Sequence, residues 1–344
     1  VNDKLYDDTT GYLTIKDGLS KRLPASDGLP ATVHVFEKPH VDALNAALAT
    51  GRPLLIRGEP GVGKSQLARA AAVALERVFV HQAVDSRTEP RDLLWSMDEV
   101  ARLAAAQVAG VFAEGRKQEE VKADLAEERF IQPGALWWAL NPITASRRCD
   151  PKSPQNAGLC SLAYHSADAL KRGTVVLVDE LDKADPAVPN AMLDALGQGG
   201  FAVPGVGRVH PPKGAALPDG VPGRALPRLI VITTNNVRRL PDAFLRRCLV
   251  LHMDLPEKDL AGWLVTRGKA HFDPAHDKVL KEAAARIVNT RRGWKRLEAP
   301  PGLAEYLDLV RAVVALGGTA GEQRARIDAL QDLVLDKHPR ERGG

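Results

Sequence analysis

Five short apolar runs recur along the chain: "PLLI" (53–56), "FVHQ" (79–82), "TVVLV" (174–178), "LIVITT" (229–234) and "LVLHM" (249–253). Runs of this length predict strands, and unbroken apolar character predicts burial on both faces, as in parallel sheets. Helical spacing lies between them. "HVDALNAALATG" stops at Gly51, and the alanine- and leucine-rich "SQLARAAAVALERV" predicts a helix opening at Ser65. Alternating strands and helices predict an α/β fold with a parallel sheet covered on both sides.

Beyond about residue 256 the strand pattern stops. "EKDLAGWLVTRG", "HDKVLKEAAARIVN", "LAEYLDLVRAVVAL" and "EQRARIDALQDLVLD" read as four helices. The expected organisation is an N-terminal arm or small cap (1–32), an α/β core (33–255) and a helical domain (256–344). Residues 131–172, with prolines 133, 142, 151 and 154, and residues 199–228, denser still in glycine and proline, look like inserted long loops.

Composition adds little. The 344 residues are 44% hydrophobic and 26% charged, with a net charge of +4, ordinary values for a globular chain with a sizeable core. Mild basicity does not call for nucleic acid. Three cysteines, Cys149, Cys160 and Cys248, and a polar, acidic N-terminus predict reduced thiols in the cytoplasm. No run approaches the ~18 apolar residues of a membrane span.

Chemistry concentrates in three places. "GEPGVGKS" fits G-x-x-x-x-G-K-[ST] between an expected strand and an expected helix. Gly58, Glu59, Pro60, Gly61, Val62 and Gly63 would wrap a phosphate in backbone N–H groups. Lys64 would reach the outer phosphates, and Ser65 would ligate Mg²⁺. "TVVLVDELDKAD" runs a strand into Asp179 and Glu180, the first suited to holding Mg²⁺ through water, the second to activating an attacking water. Asp182, Lys183 and Asp185 read as exposed helix-start charges. "LIVITTNN" ends its strand on Thr233, Thr234, Asn235 and Asn236, where an amide could position water or touch a phosphate.

Taken in order, these blocks resemble the AAA+ ATPases and, among them, the MoxR family. "GRPLLIRGEPGVGKSQLA", "GALWWAL", "VVLVDELDKADPAVPNAMLDAL", "ITTNNVRRLPDAFLRRC" and "PPGLAEYLDLVRAVVAL" carry the resemblance over roughly residues 33–320. It implies a P-loop three-layer sandwich with a five-stranded parallel sheet and a small all-α lid. It also implies a hexameric ring, Mg-dependent ATP hydrolysis that remodels a client protein, and a partner with a von Willebrand factor A domain. Asn235 becomes the sensor-1 residue, and 91–172 and 199–228 become insertions. Arg247, with Arg246 as runner-up, becomes an arginine finger supplied to the ATP of a neighbouring subunit. The rival for these arginines is an intrachain salt bridge. The chain departs from the pattern in having Asp182-Lys183 where many relatives have Asn-Arg. No cation stands near Leu303 and Ala304, although Arg291, Arg292, Lys295 and Arg296 lie upstream.

Weaker signals are Cys149, Cys160 and His165 as zinc ligands, short of the usual four. Trp137 and Trp138 suit core packing better than a pore or partner. Arg208, His210, Lys213, Arg224 and Arg228 make the second insertion basic. Rival functions are a nucleic-acid-directed AAA+ protein of clamp-loader or restriction type, a nucleotide-gated scaffold with little turnover, and a small-molecule kinase. Nucleic acid is disfavoured because no base-reading module is evident.

Overall fold

The computed structural model describes residues 4–25, 29–111, 118–149, 167–212, 228–294 and 300–335. The five apolar runs form one parallel sheet. Its strands are β1 (Leu54–Arg57), β2 (Val78–Ala83), β3 (Thr174–Asp179), β4 (Arg228–Thr234) and β5 (Leu249–His252), in the order β5-β1-β4-β3-β2.

Strand geometry sends alternate side chains to opposite faces. Leu55, Val80, Val176, Val178 and Ile232 face one apolar cluster; Leu54, Ile56, Phe79, Val175, Leu177 and Val231 face another. Helices α1 (Lys38–Thr50) and α2 (Lys64–Ala74) cover the second face through Leu44, Leu67, Ala68 and Ala71. The first face is covered by α3 (Ala135–Leu140) and α4 (Ala187–Gly197). This three-layer sandwich, with a helical C-terminal region, is the P-loop AAA+ fold. Leu55 and Ile56 are both fully buried, so truncating either to alanine should cost about 2–5 kcal/mol.

Three sequence expectations need correction. Strand β5 is not buried throughout: it is an edge strand with Val250 44% exposed and Leu251 buried. An edge strand keeps only one hydrogen-bonded neighbour and solvates alternate positions. The stretch 131–149 is not a long loop. It folds into strand Ile131–Pro133, α3 and the helix Pro142–Arg148, with Pro142 at the helix start, where its missing N–H costs nothing. Of the first 33 residues, the described ones (4–25 and 29–33) lie against the core, the small cap rather than the arm of the two expectations. Leu13, Ile15 and Leu23 are buried in the α1/α2 cluster, and strand Ser20–Leu23 pairs with Thr32–Val35. Arg69, 2% exposed, donates to the carbonyls of Pro24 and Pro30.

Trp137 and Trp138 are each 1% exposed, so they pack as core. The Trp137 indole N–H donates to Thr144 Oγ1 at 3.0 Å. After residue 259 come helices α5 (Leu260–His271), α6 (Asp277–Arg292), α7 (Leu303–Leu316) and α8 (Ala320–Leu335). They share their own apolar cluster, built on Leu264, Leu280, Tyr306 and Val310. No helix among the described residues is long and apolar enough to cross a membrane.

Candidate functional site

The C-terminal ends of β1, β3 and β4 converge because these strands are adjacent and parallel, which is where α/β sheets hold ligands. Beside them lies a cleft of about 480 Å³, lined by residues 60–65 with Asp179, Glu180, Asn235 and residues of the helical region.

The loop after β1 closes tightly. Gly58, at φ 153°, lies where a Cβ would come within 2.1 Å of the Met253 carbonyl oxygen. A side chain there would force the loop off the end of β5. Gly61, at φ 77°, has the Ala304 Cβ only 2.8 Å from where its own would lie. The helical region thus seats Ala304 directly on the loop, at the place where no cation stands.

Lys64 heads α2 and is 7% exposed. Its Nζ donates to the carbonyls of Gly58 (2.8 Å) and Glu59 (2.9 Å) and to Asn235 Oδ1 (2.7 Å). Burial lowers its pKa, and the carboxylates of Asp179, Asp182 and Glu180 oppose that shift. The next residue, Ser65, donates its hydroxyl to Asp179 Oδ1 at 2.8 Å.

Asp179 is the hub of the acidic end. Its carboxylate accepts from Ser65 and Thr233 and lies 3.3 Å from His81 Nε2. Burial works to raise its pKa, but the bonds from His81, Thr233 and Ser65 prevail and hold it below the ordinary carboxylate value. An ionised carboxylate beside a hydroxyl is a hard-oxygen pair, the donor chemistry that Mg²⁺ takes.

Glu180 has a left-handed backbone, φ 60°, a conformation unusual for a residue with a side chain. Its N–H donates to Thr233 Oγ1 at 2.9 Å; Oε1 accepts from Asn235 Nδ2 at 2.9 Å, and Oε2 pairs with Lys183. Asn235 therefore bridges Lys64 and Glu180 through the two ends of one amide.

Asp182 is not the exposed helix-start charge expected: it is 1% exposed and accepts from the Val237 N–H at 2.7 Å and the Asn235 N–H at 3.4 Å. A buried carboxylate there holds the backbone that presents Asn235. Lys183 and Asp185 are exposed as expected, and Asp185 accepts from the Ala187 N–H at 2.8 Å.

Sequence reasoning missed two contributors, His81 and Arg311, and left two others, Thr233 and Arg291, without a partner. His81 sat inside a run read only as an apolar strand. Arg291 donates both ends of its guanidinium to Glu59, each at 3.0 Å, joining α6 to the phosphate loop. Arg311, on α7, lines the cleft and pairs with Asp308 at 2.7 Å. Only long-range folding brings these groups in.

Arg246 and Arg247 are not drawn into the cleft. Both are exposed, and neither forms an ion pair with a described residue. Instead Arg52 holds the backbone here, donating to the carbonyls of Arg246 (2.5 Å), Arg247 (3.2 Å) and Cys248 (3.0 Å). Among the described residues no group of three or more His, Cys, Asp and Glu side chains could hold a metal ion. Cys160 and His165, of the zinc reading, lie outside the described residues, as do Lys213, Arg224, Lys295 and Arg296.

The sequence profile of the AAA domain (dynein-related subfamily) matches residues 53–248. No curated protein matches the chain. Among solved structures, a mutant RuvB of Thermotoga maritima is 13% identical, with a TM-score of 0.43, covering 86% of this chain and 68% of that one. The Thermotoga maritima RuvB Holliday junction branch migration motor is 14% identical, with a TM-score of 0.41 and coverage of 86% and 67%. A protein of Cytophaga hutchinsonii provisionally described as an ATPase is 12% identical, with a TM-score of 0.34 and coverage of 84% and 78%.

Proposed function

The chain belongs to the AAA domain family, dynein-related subfamily, and from that premise we propose that it is a Mg-dependent ATPase of MoxR type whose turnover remodels a partner protein. The observation that carries the reading is the amide of Asn235, shared between Lys64 and Glu180 in the cleft that also holds Ser65 and Asp179. A nucleotide-gated scaffold has no use for an acid–amide pair beside its phosphate lysine; hydrolysis does.

In this reading backbone N–H groups of residues 60–65 cradle the phosphates, and Lys64 leaves the loop carbonyls to face the outer phosphate. Ser65 and Asp179 hold Mg²⁺, which supplies charge neutralisation on the phosphate oxygens when bound. Glu180 takes the proton of the attacking water, and Asn235 fixes the position of Glu180. The Lys183 pairing keeps Glu180 turned toward the amide until nucleotide enters.

Arg247, with Arg246 beside it, is presented to a neighbouring subunit, so hydrolysis requires head-to-tail assembly into a closed, hexameric ring. Two guanidiniums at an exposed turn, without an ion-pair partner among the described residues, support this. The partner is a protein with a von Willebrand factor A domain, and the setting is the cytoplasm. The test uses Glu180→Gln as a trap. It should hold ATP without turning it over, sediment as a closed oligomer, and retain a protein partner that ADP releases. Turnover at the native rate would assign water activation to another group and overturn the reading.

A further inference from the structure

A second cleft, of about 790 Å³, lies apart from the nucleotide cleft. One wall is the helix Pro142–Arg148, which carries Arg147 and Arg148, with Arg129 alongside; the other is the hairpin of Phe201–Val203 and Gly207–Val209, with Arg208 and His210. Asn141 ties the two, its Nδ2 donating to the His210 carbonyl at 3.0 Å. We infer that this cleft captures an acidic polypeptide segment, with guanidiniums binding its side-chain carboxylates.

Arg148 and Arg208 are held in place, and no described carboxylate neutralises either of them. No carboxylate is among the lining residues. Arg148 donates to the Glu128 carbonyl at 2.7 Å and lies 6.0 Å over the Trp137 ring. Arg208 donates weakly to the carbonyls of Gln198 and Gly200, at 3.3 and 3.4 Å. Neither of these, nor Arg147, forms an ion pair with a described residue; Arg129 alone pairs, with Asp124. Like charges crowded in a concavity repel one another and raise the local concentration of anions. Planar guanidinium forks match carboxylates two bonds at a time.

Nucleic acid fits less well. A duplex is contacted by elements that track its backbone or enter its grooves, and these arginines sit in a hollow. A single strand stacks its bases on exposed aromatic rings, whereas Trp137 is 1% exposed and leaves His210 as the one accessible ring in the lining. A slender chain studded with carboxylates fills such a hollow. Helix α4 runs from the turn after Glu180 to this hairpin, so the captured segment lies one helix away from the acidic pair.

The experiment measures fluorescence anisotropy of labelled octaglutamate without nucleotide, beside octaglutamine and an eight-residue oligothymidine. Saturable binding of octaglutamate, but not octaglutamine, is expected. The double variant Arg147→Glu/Arg208→Glu should weaken it at least tenfold. Arg147→Lys/Arg208→Lys, which keeps charge but loses the fork, should weaken it severalfold. Unchanged ATP affinity would show that both variants are folded. The inference is overturned by absence of saturable binding, by native affinity in either variant, or by oligothymidine binding more tightly than octaglutamate, which would assign the cleft to nucleic acid.

Discussion

Asn235 holds Lys64 with its carbonyl, at 2.7 Å, and Glu180 with its amide, at 2.9 Å. One side chain thereby links the group set to face phosphate with the group set to face water. Asn235→Ala should reduce ATP turnover by at least tenfold while leaving ATP affinity within a few-fold of native. Steady-state rates beside equilibrium nucleotide binding separate the two. A loss confined to binding would remove Asn235 from the hydrolytic step.

Lys64→Ala should abolish detectable ATP binding, because it removes the one cation of the loop that can face the phosphates. Calorimetric titration measures it, with a thermal melt as control, since Lys64 also bonds the loop carbonyls of Gly58 and Glu59. Native affinity in a folded variant would sink the phosphate-loop reading.

The phosphate loop, the acidic pair and the five strands were legible in the sequence because each depends on neighbours in the chain. Asp182 was not. A carboxylate between a strand end and a helix start reads as solvated, and only the return of β4 brings the Asn235 and Val237 N–H groups to it. Arg291 was named as a cation upstream of the lid position, but its partner was not legible, for the same reason. Its partner, Glu59, lies 232 positions away, and no local pattern announces a pairing across that separation. Leu13, Ile15 and Leu23 were legible as apolar residues but not as core, since one pair at strand spacing and a third residue eight positions on make no sustained period.

Arg247→Ala protein should be inactive alone, as should Lys64→Ala protein. Mixed under conditions of subunit exchange, the two should regain part of the activity, because hybrid interfaces pair an intact loop with an intact arginine. ATPase assays on mixtures whose exchange is verified by mass spectrometry provide the check. Full activity of Arg246→Ala and Arg247→Ala, singly and together, would falsify a trans-acting role.

Arg291 and Glu59 form a bidentate pair with both side chains at least two-thirds buried. Arg291→Ala and Glu59→Ala should each destabilise the protein, and the double variant should fall short of their sum by about 1 kcal/mol. Denaturant titration of the four proteins reads this. Strict additivity would mean that the contact contributes nothing to holding the helical region on the loop.

Burial in the company of His40, Arg267 and His271 pushes His34 down to about 3. The folded protein keeps this ring neutral where the unfolded chain, titrating near 6.5, takes up a proton. Stability attributable to His34 is therefore complete above pH 6.5 and declines as pH falls toward 3. Between pH 7 and 5.5 the loss from this residue should be about 1 kcal/mol, so His34→Phe should show a pH dependence shallower by that amount in urea unfolding. Parallel pH profiles for the two proteins would show that the ring protonates freely in the fold.

Arg52 stands two residues ahead of β1, and its guanidinium grips the carbonyls of Arg246, Arg247 and Cys248. The phosphate loop leaves the other end of that same strand. With four residues at roughly 3.3 Å each, a stiff rod of about 13 Å joins the two. In the proposed assembly, a displacement of the loop as it fills or empties would be carried along this strand to the turn that bears Arg246 and Arg247. Such a lever would let each protomer of the proposed ring broadcast its own occupancy to the next, so that firing would be sequential rather than independent.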